Sequence, residues 1–168
     1  MILALDIAFK NTGWSVLDGG KIIAFGTIKT EKSKKKTVRV SDDKASRAAN
    51  MATELHEIIV KYDVKGIVGE LPSGSQNATA ANLLGWAGGV VVGVAAAHGM
   101  PCEWISEGDA KKAALGVRSA VKEETMAWAR KTFPQVEFPK TICNMEHVAD
   151  SLQAYHGLRN GILVRTFG

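Results

Sequence analysis

Two carboxylates end apolar runs of the chain, and this feature most restricts how it can fold. Asp6 follows the apolar residues 2–5, and Glu70 follows residues 66–69. Such runs are typical of buried strands, and a carboxylate at the end of a buried strand is costly unless it is paired or metal-bound. A third acid, Asp150, lies in a predicted late helix. If two adjacent strands and this helix converge, their oxygens form a ligand set for Mg²⁺.

The order of predicted elements indicates an α/β fold. With 168 residues, 46% of them hydrophobic, the chain fits a single domain, residues 1–168, with a substantial core. We predict strands at 2–7, 14–17, 21–29, 66–70 and 101–105, with a turn at 11–13 and helices at 45–62, 79–97, 109–115, 121–132 and 144–159. A three-stranded meander, a helix, a strand, a helix and a strand is the order of the ribonuclease H-like fold. We therefore predict a five-stranded mixed sheet flanked by helices.

The positive charge of the chain is concentrated in one segment. The formal net charge is only +4, but the segment 29–39 holds six basic residues: Lys29, Lys32, Lys34, Lys35, Lys36 and Arg39. One interpretation is a solvated, mobile loop. The other is a loop that contacts phosphates, because clustered lysines displace the counterions of DNA.

The two cysteines and the amino terminus bear on the compartment. Cys102 and Cys143 show neither metal-ligand spacing nor a disulfide framework, which favours a reducing compartment. The first residues lack the basic region and the cleavage site of a signal peptide. We expect a cytoplasmic protein.

One uncharged stretch, residues 79–97, is about long enough to span a bilayer. It is dominated by Ala and Gly, contains Asn82, and lacks flanking aromatic and basic anchors. We therefore predict a buried helix and no membrane partner. Its small residues, among them Gly85, Gly89 and Gly93, would allow close approach of another backbone, either the sheet or a second copy of the chain.

A histidine accompanies the third acid. His147 and Asp150 are three residues apart, so a helix projects both from one face. Such a pair can direct an imidazole and a carboxylate at one reacting centre, although taken alone it is more often a solvated or capping pair. Asp6 and Glu70 favour the first interpretation, because α/β folds gather ligands at the carboxyl ends of their strands.

Five motifs occur in a specific order along nearly the whole chain. They are Leu3-Ala4-Leu5-Asp6 with Thr12-Gly13-Trp14, Val68-Gly69-Glu70, the segment 80–89 with Leu84-Gly85, Ser119-Ala120-Val121-Lys122, and His147-Val148-Ala149-Asp150. In these motifs the chain resembles the RuvC family of Holliday-junction resolvases. Each motif alone is weak; their order and spacing are specific.

This resemblance implies a homodimeric endonuclease that cuts two strands of a four-way DNA junction symmetrically, using two Mg²⁺ ions per site, with Mn²⁺ as an alternative. Asp6, Glu70 and Asp150 match the metal-binding carboxylates of the family, and His147 matches a position that binds metal or activates water. Basic positions near the scissile phosphate match Lys111 and Lys122, the latter a candidate catalytic residue. Further candidate DNA-binding residues are Lys10, Lys34, Lys35 and Lys36.

The physical argument agrees with these roles. Paired metal ions activate water and stabilise the leaving oxygen of a phosphodiester. Clustered carboxylates repel one another, so without a cation at least one of their pKa values should rise. A lysine at the centre stabilises phosphate charge in the transition state. The alternative for Lys111 and Lys122 is that both are solvated helix lysines.

Two segments depart from the family pattern. Asp6 is usually followed by Pro-Gly, whereas here residues 7–10 read Ile-Ala-Phe-Lys, so that Phe9 or Lys10 could contact DNA instead. Bacterial relatives carry an aromatic wedge soon after the second acid, whereas residues 71–75 read Leu-Pro-Ser-Gly-Ser. Both differences favour the phage-encoded branch of the family, whose members would act in the host cytoplasm.

Three alternative functions share some of these features. A sugar-kinase or actin-like ATPase shares an acid followed by Thr-Gly, but needs two such domains and a second nucleotide motif, for which 168 residues leave no room. A catalytically silent junction-binding protein would lack carboxylates that are present here. A broader nuclease acting on flaps or forks is harder to distinguish, because the same centre cuts any phosphate that reaches it.

Overall fold

A mixed five-stranded sheet forms the centre of the computed structural model, which describes residues 1–70 and 77–168. The spatial order of the strands is β3-β2-β1-β4-β5. Strands β1, β2 and β3 form an antiparallel meander, and β4 and β5 run parallel to β1. The strands are β1 (Ile2–Asp6), β2 (Asn11–Asp18), β3 (Lys21–Lys29), β4 (Gly66–Glu70) and β5 (Cys102–Ile105). The predicted mixed sheet is therefore confirmed.

Helices cover both faces of this sheet. They are α1 (Val40–Lys61), α2 (Ala78–Ala97), α3 (Glu107–Leu115), α4 (Lys122–Thr132), α5 (Ile142–Leu158) and α6 (Ile162–Phe167). Four of them, α2 to α5, begin and end within two residues of the predicted bounds, and α1 begins five residues before its predicted start. The short α6 was not predicted.

Strand β1 is buried on both of its faces. Because successive side chains of a strand alternate, Leu3 and Leu5 lie in the core on the α1 and α2 side of the sheet. Ile2 and Ala4 lie in the core on the α4 and α5 side. Burial on both sides explains why the sequences of β1 and β4 are continuous apolar runs rather than alternating patterns.

The predicted turn at 11–13 is wrong, because these residues form the first part of β2. Gly13 is paired with Asp6 on β1 and with Thr27 on β3, so pairing on both sides outweighs the turn-like composition. The connection between β1 and β2 is therefore the short loop 7–10. Thr12 closes it by donating its hydroxyl hydrogen to the Ala8 carbonyl oxygen at 2.6 Å.

Helix α2 is far more exposed than the sequence predicts. Only three of its side chains are buried: Ala87, Val91 and Ala95. Trp86 is 39% exposed and Val92 is 50% exposed. By length and composition alone α2 is able to cross a membrane. A helix that packs against other protein can have the same length and composition. The prediction of a buried helix is wrong for the isolated chain, because α2 packs on α1 along one narrow side.

Candidate active site

Asp6 and Glu70 lie side by side at one edge of the sheet. Their strands, β1 and β4, are adjacent and parallel, and the two residues are directly paired in register. Both acids are the last residues of their strands. Each side chain lies between full burial and full exposure. The sheet therefore places two acids at a solvent-accessible edge of a buried core.

Helix α5 brings His147 to the same edge. The Nδ1 of His147 lies 2.8 Å from Oδ2 of Asp6. The helix reaches this position by packing closely on β2 at Gly13, where an added Cβ would lie 2.1 Å from the His147 carbonyl oxygen. A glycine at residue 13 is thus a steric requirement of the site.

The contact with Asp6 fixes the tautomer of His147. An ionised carboxylate only accepts hydrogen bonds, so Nδ1 of His147 carries the hydrogen and donates it. The hydrogen bond to Asp6, opposed by partial burial, raises the pKa of His147 together with the nearby charges of Asp6, Glu146 and Asp150. In the neutral ring, Nε2 keeps its lone pair and can accept a proton or a metal ion.

Glu70 and Asp150 share one electrostatic environment with Asp6. Burial, followed by the charges of Asp6 and Asp150, raises the pKa of Glu70 to about 8. Burial, followed by the charges of Asp6 and Glu146, raises the pKa of Asp150 to about 7. The rise expected for carboxylates without a cation is therefore present at two positions. The folded state holds these protons more tightly than the unfolded chain does. The contribution of both groups to the free energy of unfolding therefore falls as the pH rises from about 4 towards 8.

The residues present fit a divalent cation. Within residues 1–70 and 77–168, no three His, Cys, Asp or Glu side chains already converge on one point in the manner of a preformed site. The available donors are carboxylate oxygens, which hard cations such as Mg²⁺ prefer. A cation would also offset the repulsion that raises the pKa values of Glu70 and Asp150.

Two lysines flank these acids, and each is held by a glutamate that the sequence did not single out. Nζ of Lys111 donates to Oε1 of Glu107 at 2.5 Å within α3. Lys122, at the start of α4, donates to Glu146 on α5. The four-residue spacing of Glu107 and Lys111 is a signal that could have indicated the first pair. No local pattern indicates the second pair, which is separated by 24 residues.

The pKa values of both lysines are raised. At Lys111, partial burial opposes the charged form, but the bond to Glu107 and the charges of Glu107, Asp150 and Glu70 outweigh it. At Lys122 the bond to Glu146 is the main cause. Both side chains are therefore cationic at neutral pH and close enough to Asp150 to sense its charge.

The candidate DNA-binding lysines Lys10, Lys34, Lys35 and Lys36 are all exposed. Strand β3 runs parallel to β1, so its carboxyl end lies at the same edge of the sheet as Asp6. The loop that follows β3 contacts the loop that follows β1, since the Thr30 amide donates to the Lys10 carbonyl oxygen at 2.9 Å. The prediction about an aromatic wedge concerns residues 71–75, which lie outside the described residues.

Comparison with known proteins adds an independent observation. The sequence matches no protein-family model. It is 26% identical to the crossover junction endodeoxyribonuclease RuvC of Rhizobium johnstonii, over 82% of this chain and 79% of that protein. It is 24% identical to RuvC of Heliobacterium modesticaldum, over 98% of this chain and 99% of that protein.

Comparison of the fold with solved structures also finds RuvC proteins. The structure of T. thermophilus RuvC in complex with a Holliday junction substrate matches with a TM-score of 0.76, covering 99% of this chain and 96% of that one at 19% identity. A second Thermus thermophilus RuvC structure matches with a TM-score of 0.67, covering 93% of this chain and 91% of that one. The chain is similar to RuvC proteins in both sequence and fold. The ribonuclease H-like fold predicted from the order of elements is confirmed with it.

Proposed function

We propose that this RuvC-like chain is a metal-dependent endonuclease that resolves four-way DNA junctions by symmetric hydrolysis of two phosphodiester bonds, in recombination and repair. The observation that carries the proposal is the in-register pairing of Asp6 and Glu70 at one edge of the sheet, with His147 of α5 bonded to Asp6. The charge of Asp150, also on α5, contributes to the raised pKa of Glu70. The curated relatives named crossover junction endodeoxyribonucleases support it. We assign the activity to a single nuclease domain, residues 1–168, acting in the cytoplasm.

Each residue of the site has a role that follows from its contacts. Asp6, Glu70 and Asp150 would hold two Mg²⁺ ions, or Mn²⁺, which activate water and stabilise the leaving oxygen when bound. Asp6 also orients His147 through Nδ1, which leaves Nε2 to bind metal or to take a proton from water. Lys122 and Lys111 would supply the positive charge of the site in which the phosphate is cut.

The two lysines differ in how accessible they are to a DNA phosphate. Lys122 bonds to Glu146 and is 67% exposed, so a phosphate can approach it from solvent. Lys111 is more buried, at 17% exposure, and its ammonium is held between Glu107 and the charges of Glu70 and Asp150. We therefore propose that Lys122 contacts the scissile phosphate and that Lys111 offsets the negative charges of Glu70 and Asp150.

A substrate panel tests the proposed function. Synthetic four-way junction, flap, fork and linear duplex are incubated with the protein and Mg²⁺, and the cut positions are mapped on each strand. We expect paired cuts at symmetry-related positions of the junction and little cutting of linear duplex. Equal cutting of flaps and forks would favour the broader nuclease, and junction binding without cutting would favour the silent binding protein.

We further propose that two copies associate through the exposed side of α2, since symmetric cutting needs two active sites. Cβ atoms added at Gly85, Gly89 or Gly93 would meet nothing within 4 Å, so this side of the helix is open to another backbone. The exposed Trp86 and Val92 would supply apolar contact area.

Sedimentation velocity measures the association directly. We expect a dimer at micromolar protein, and a monomer for Gly89→Glu, which introduces a charge into the centre of the apolar side. Ala127→Glu, an exposed position on α4 away from this surface, serves as the matched control and should remain a dimer. A wild-type monomer both with and without junction DNA would contradict the proposal.

A further inference from the structure

Arg47 of α1 is nearly buried and holds several groups at once. Its Nε donates to the Thr30 hydroxyl at 3.1 Å, and its Nη2 donates to the carbonyl oxygens of Phe9 and Thr30 at 3.4 and 3.3 Å. Its Nη1 lies 3.7 Å from Asp43, and its guanidinium carbon lies 4.4 Å from the centre of the Phe9 ring. The side chain is only 12% exposed. Such a set of directed donors suits the planar fork of arginine and not a point charge.

These contacts fasten two separate loops to α1. Loop 7–10 follows Asp6, and Arg47 contacts it through Phe9. The lysine loop, residues 30–39, is held through Thr30 and also through Ser33, whose amide donates to Oδ1 of Asp43 at 2.6 Å. Thr30 joins the loops by donating its hydroxyl hydrogen to the Phe9 carbonyl oxygen. The beginning of the lysine loop is therefore held against α1, and the lysines that follow it are exposed to solvent.

The lysines carried by these loops remain available to a ligand. Within the described part of the chain, no acidic side chain forms an ion pair with Lys10, Lys34, Lys35 or Lys36. All four are exposed. Lys111 and Lys122, by contrast, are each paired with a glutamate. Unpaired ammonium groups on an anchored surface beside the acidic centre match the spaced negative charges of a DNA backbone.

We propose that Arg47 is a positioning residue that prearranges Lys10 and the lysine loop as a binding surface for the phosphates of a DNA duplex arm. The inference rests on the proposed function and adds the way in which the substrate arm is held. Arg47 is too buried to reach a phosphate itself, so it acts through the loops. Lysines that are already positioned lose less conformational freedom on binding than lysines of a mobile loop. Because this lysine surface would contact the sugar-phosphate backbone of DNA, it would confer affinity and not sequence preference.

The test compares Arg47→Met, Arg47→Lys and the triple variant Lys34→Ala/Lys35→Ala/Lys36→Ala in binding to a labelled four-way junction without Mg²⁺, over a range of salt. We expect Arg47→Met to weaken binding about tenfold at low salt and to lower the salt dependence, as the triple variant does. Arg47→Lys should not restore binding, because an ammonium cannot replace the fork. A variant that combines Arg47→Met with the three lysine substitutions should bind no more weakly than the weaker binder of Arg47→Met and the triple variant.

Trypsin provides a readout of the loop itself. Wild-type protein should resist cleavage after Lys34, Lys35 and Lys36, and bound junction should slow it further, whereas Arg47→Met should be cut there at least several times faster. Should Arg47→Met fail to fold, Thr30→Val removes the Nε acceptor with little change of shape and should show the same effects in weaker form.

Three results would overturn the inference. The first is an Arg47→Met protein with the affinity and salt dependence of the wild type. The second is a combined variant whose loss of affinity equals the product of the losses in Arg47→Met and in the triple variant, and the third is a Thr30→Val protein with the trypsin resistance and affinity of the wild type. These results are distinct from failure of the proposed function. A wild-type protein that binds junctions but cuts none would refute the nuclease and leave the comparison of binding by the Arg47 variants intact.

Discussion

Asp6→Asn is expected to abolish junction cleavage while leaving junction binding close to that of the wild type. The amide is isosteric and can still accept the hydrogen bond from His147, so the local fold should be retained. It removes the negative charge that makes residue 6 a ligand for divalent cations. We expect a loss of about a thousandfold or more in the cleavage rate, equivalent to roughly 4 kcal/mol of transition-state stabilisation.

Single-turnover cleavage and a binding assay on the same four-way junction measure the two properties separately. Asp18→Asn is the matched control, since Asp18 also ends a strand of this sheet but lies exposed at the opposite edge. It should cleave like the wild type. Rapid cleavage by Asp6→Asn would show that residue 6 is not part of the reacting centre.

The second large effect is expected at Gly13. In Gly13→Ala the new methyl group would lie 2.1 Å from the carbonyl oxygen and 2.5 Å from the carbonyl carbon of His147. Both are backbone atoms, so α5 itself must move away from the sheet. Overpacking of this kind costs about 1–3 kcal/mol, which lowers Tm by roughly 2–4 °C for each kcal/mol in a protein of this size. Because α5 carries His147 and Asp150, cleavage should fall at least tenfold as well.

Thermal unfolding and cleavage are measured on Gly13→Ala beside Gly88→Ala. Gly88 lies within α2, where an added Cβ would meet nothing within 4 Å. Alanine there should be neutral or stabilise by about 0.5–1 kcal/mol, because it favours the helix. A Gly13→Ala protein with the Tm and cleavage rate of the wild type would contradict the packing described at this position.

The sequence predicts the strands that carry the site because burial on both faces leaves an unmistakable pattern. The apolar runs before Asp6 and Glu70 predict β1 and β4, and a pairing of the two strands places both acids at one edge. The spacing of His147 and Asp150 likewise predicts one helical face. The contact of His147 with Asp6 depends on the close packing of α5 at Gly13, which no local pattern expresses.

Other features of the site depend on contacts between residues far apart in the chain. The bond from Lys122 to Glu146 and the anchoring of residue 30 by Arg47 join segments that only the fold brings together. The exposure of α2 escaped prediction for a different reason. An Ala- and Gly-rich helix has the same composition whether it is covered by its own chain or by a second copy.

Calorimetric titration of Mg²⁺ at pH 7, in buffers of different ionisation enthalpy, tests most directly whether Asp6, Glu70 and Asp150 hold cations together. With pKa values of about 8 and 7, Glu70 and Asp150 are partly protonated at this pH, so saturable binding should release protons. The release should disappear near pH 9, and Asp6→Asn, Glu70→Gln and Asp150→Asn should each weaken binding strongly. Wild-type protein that binds no Mg²⁺, or three variants that bind it as the wild type does, would contradict the account.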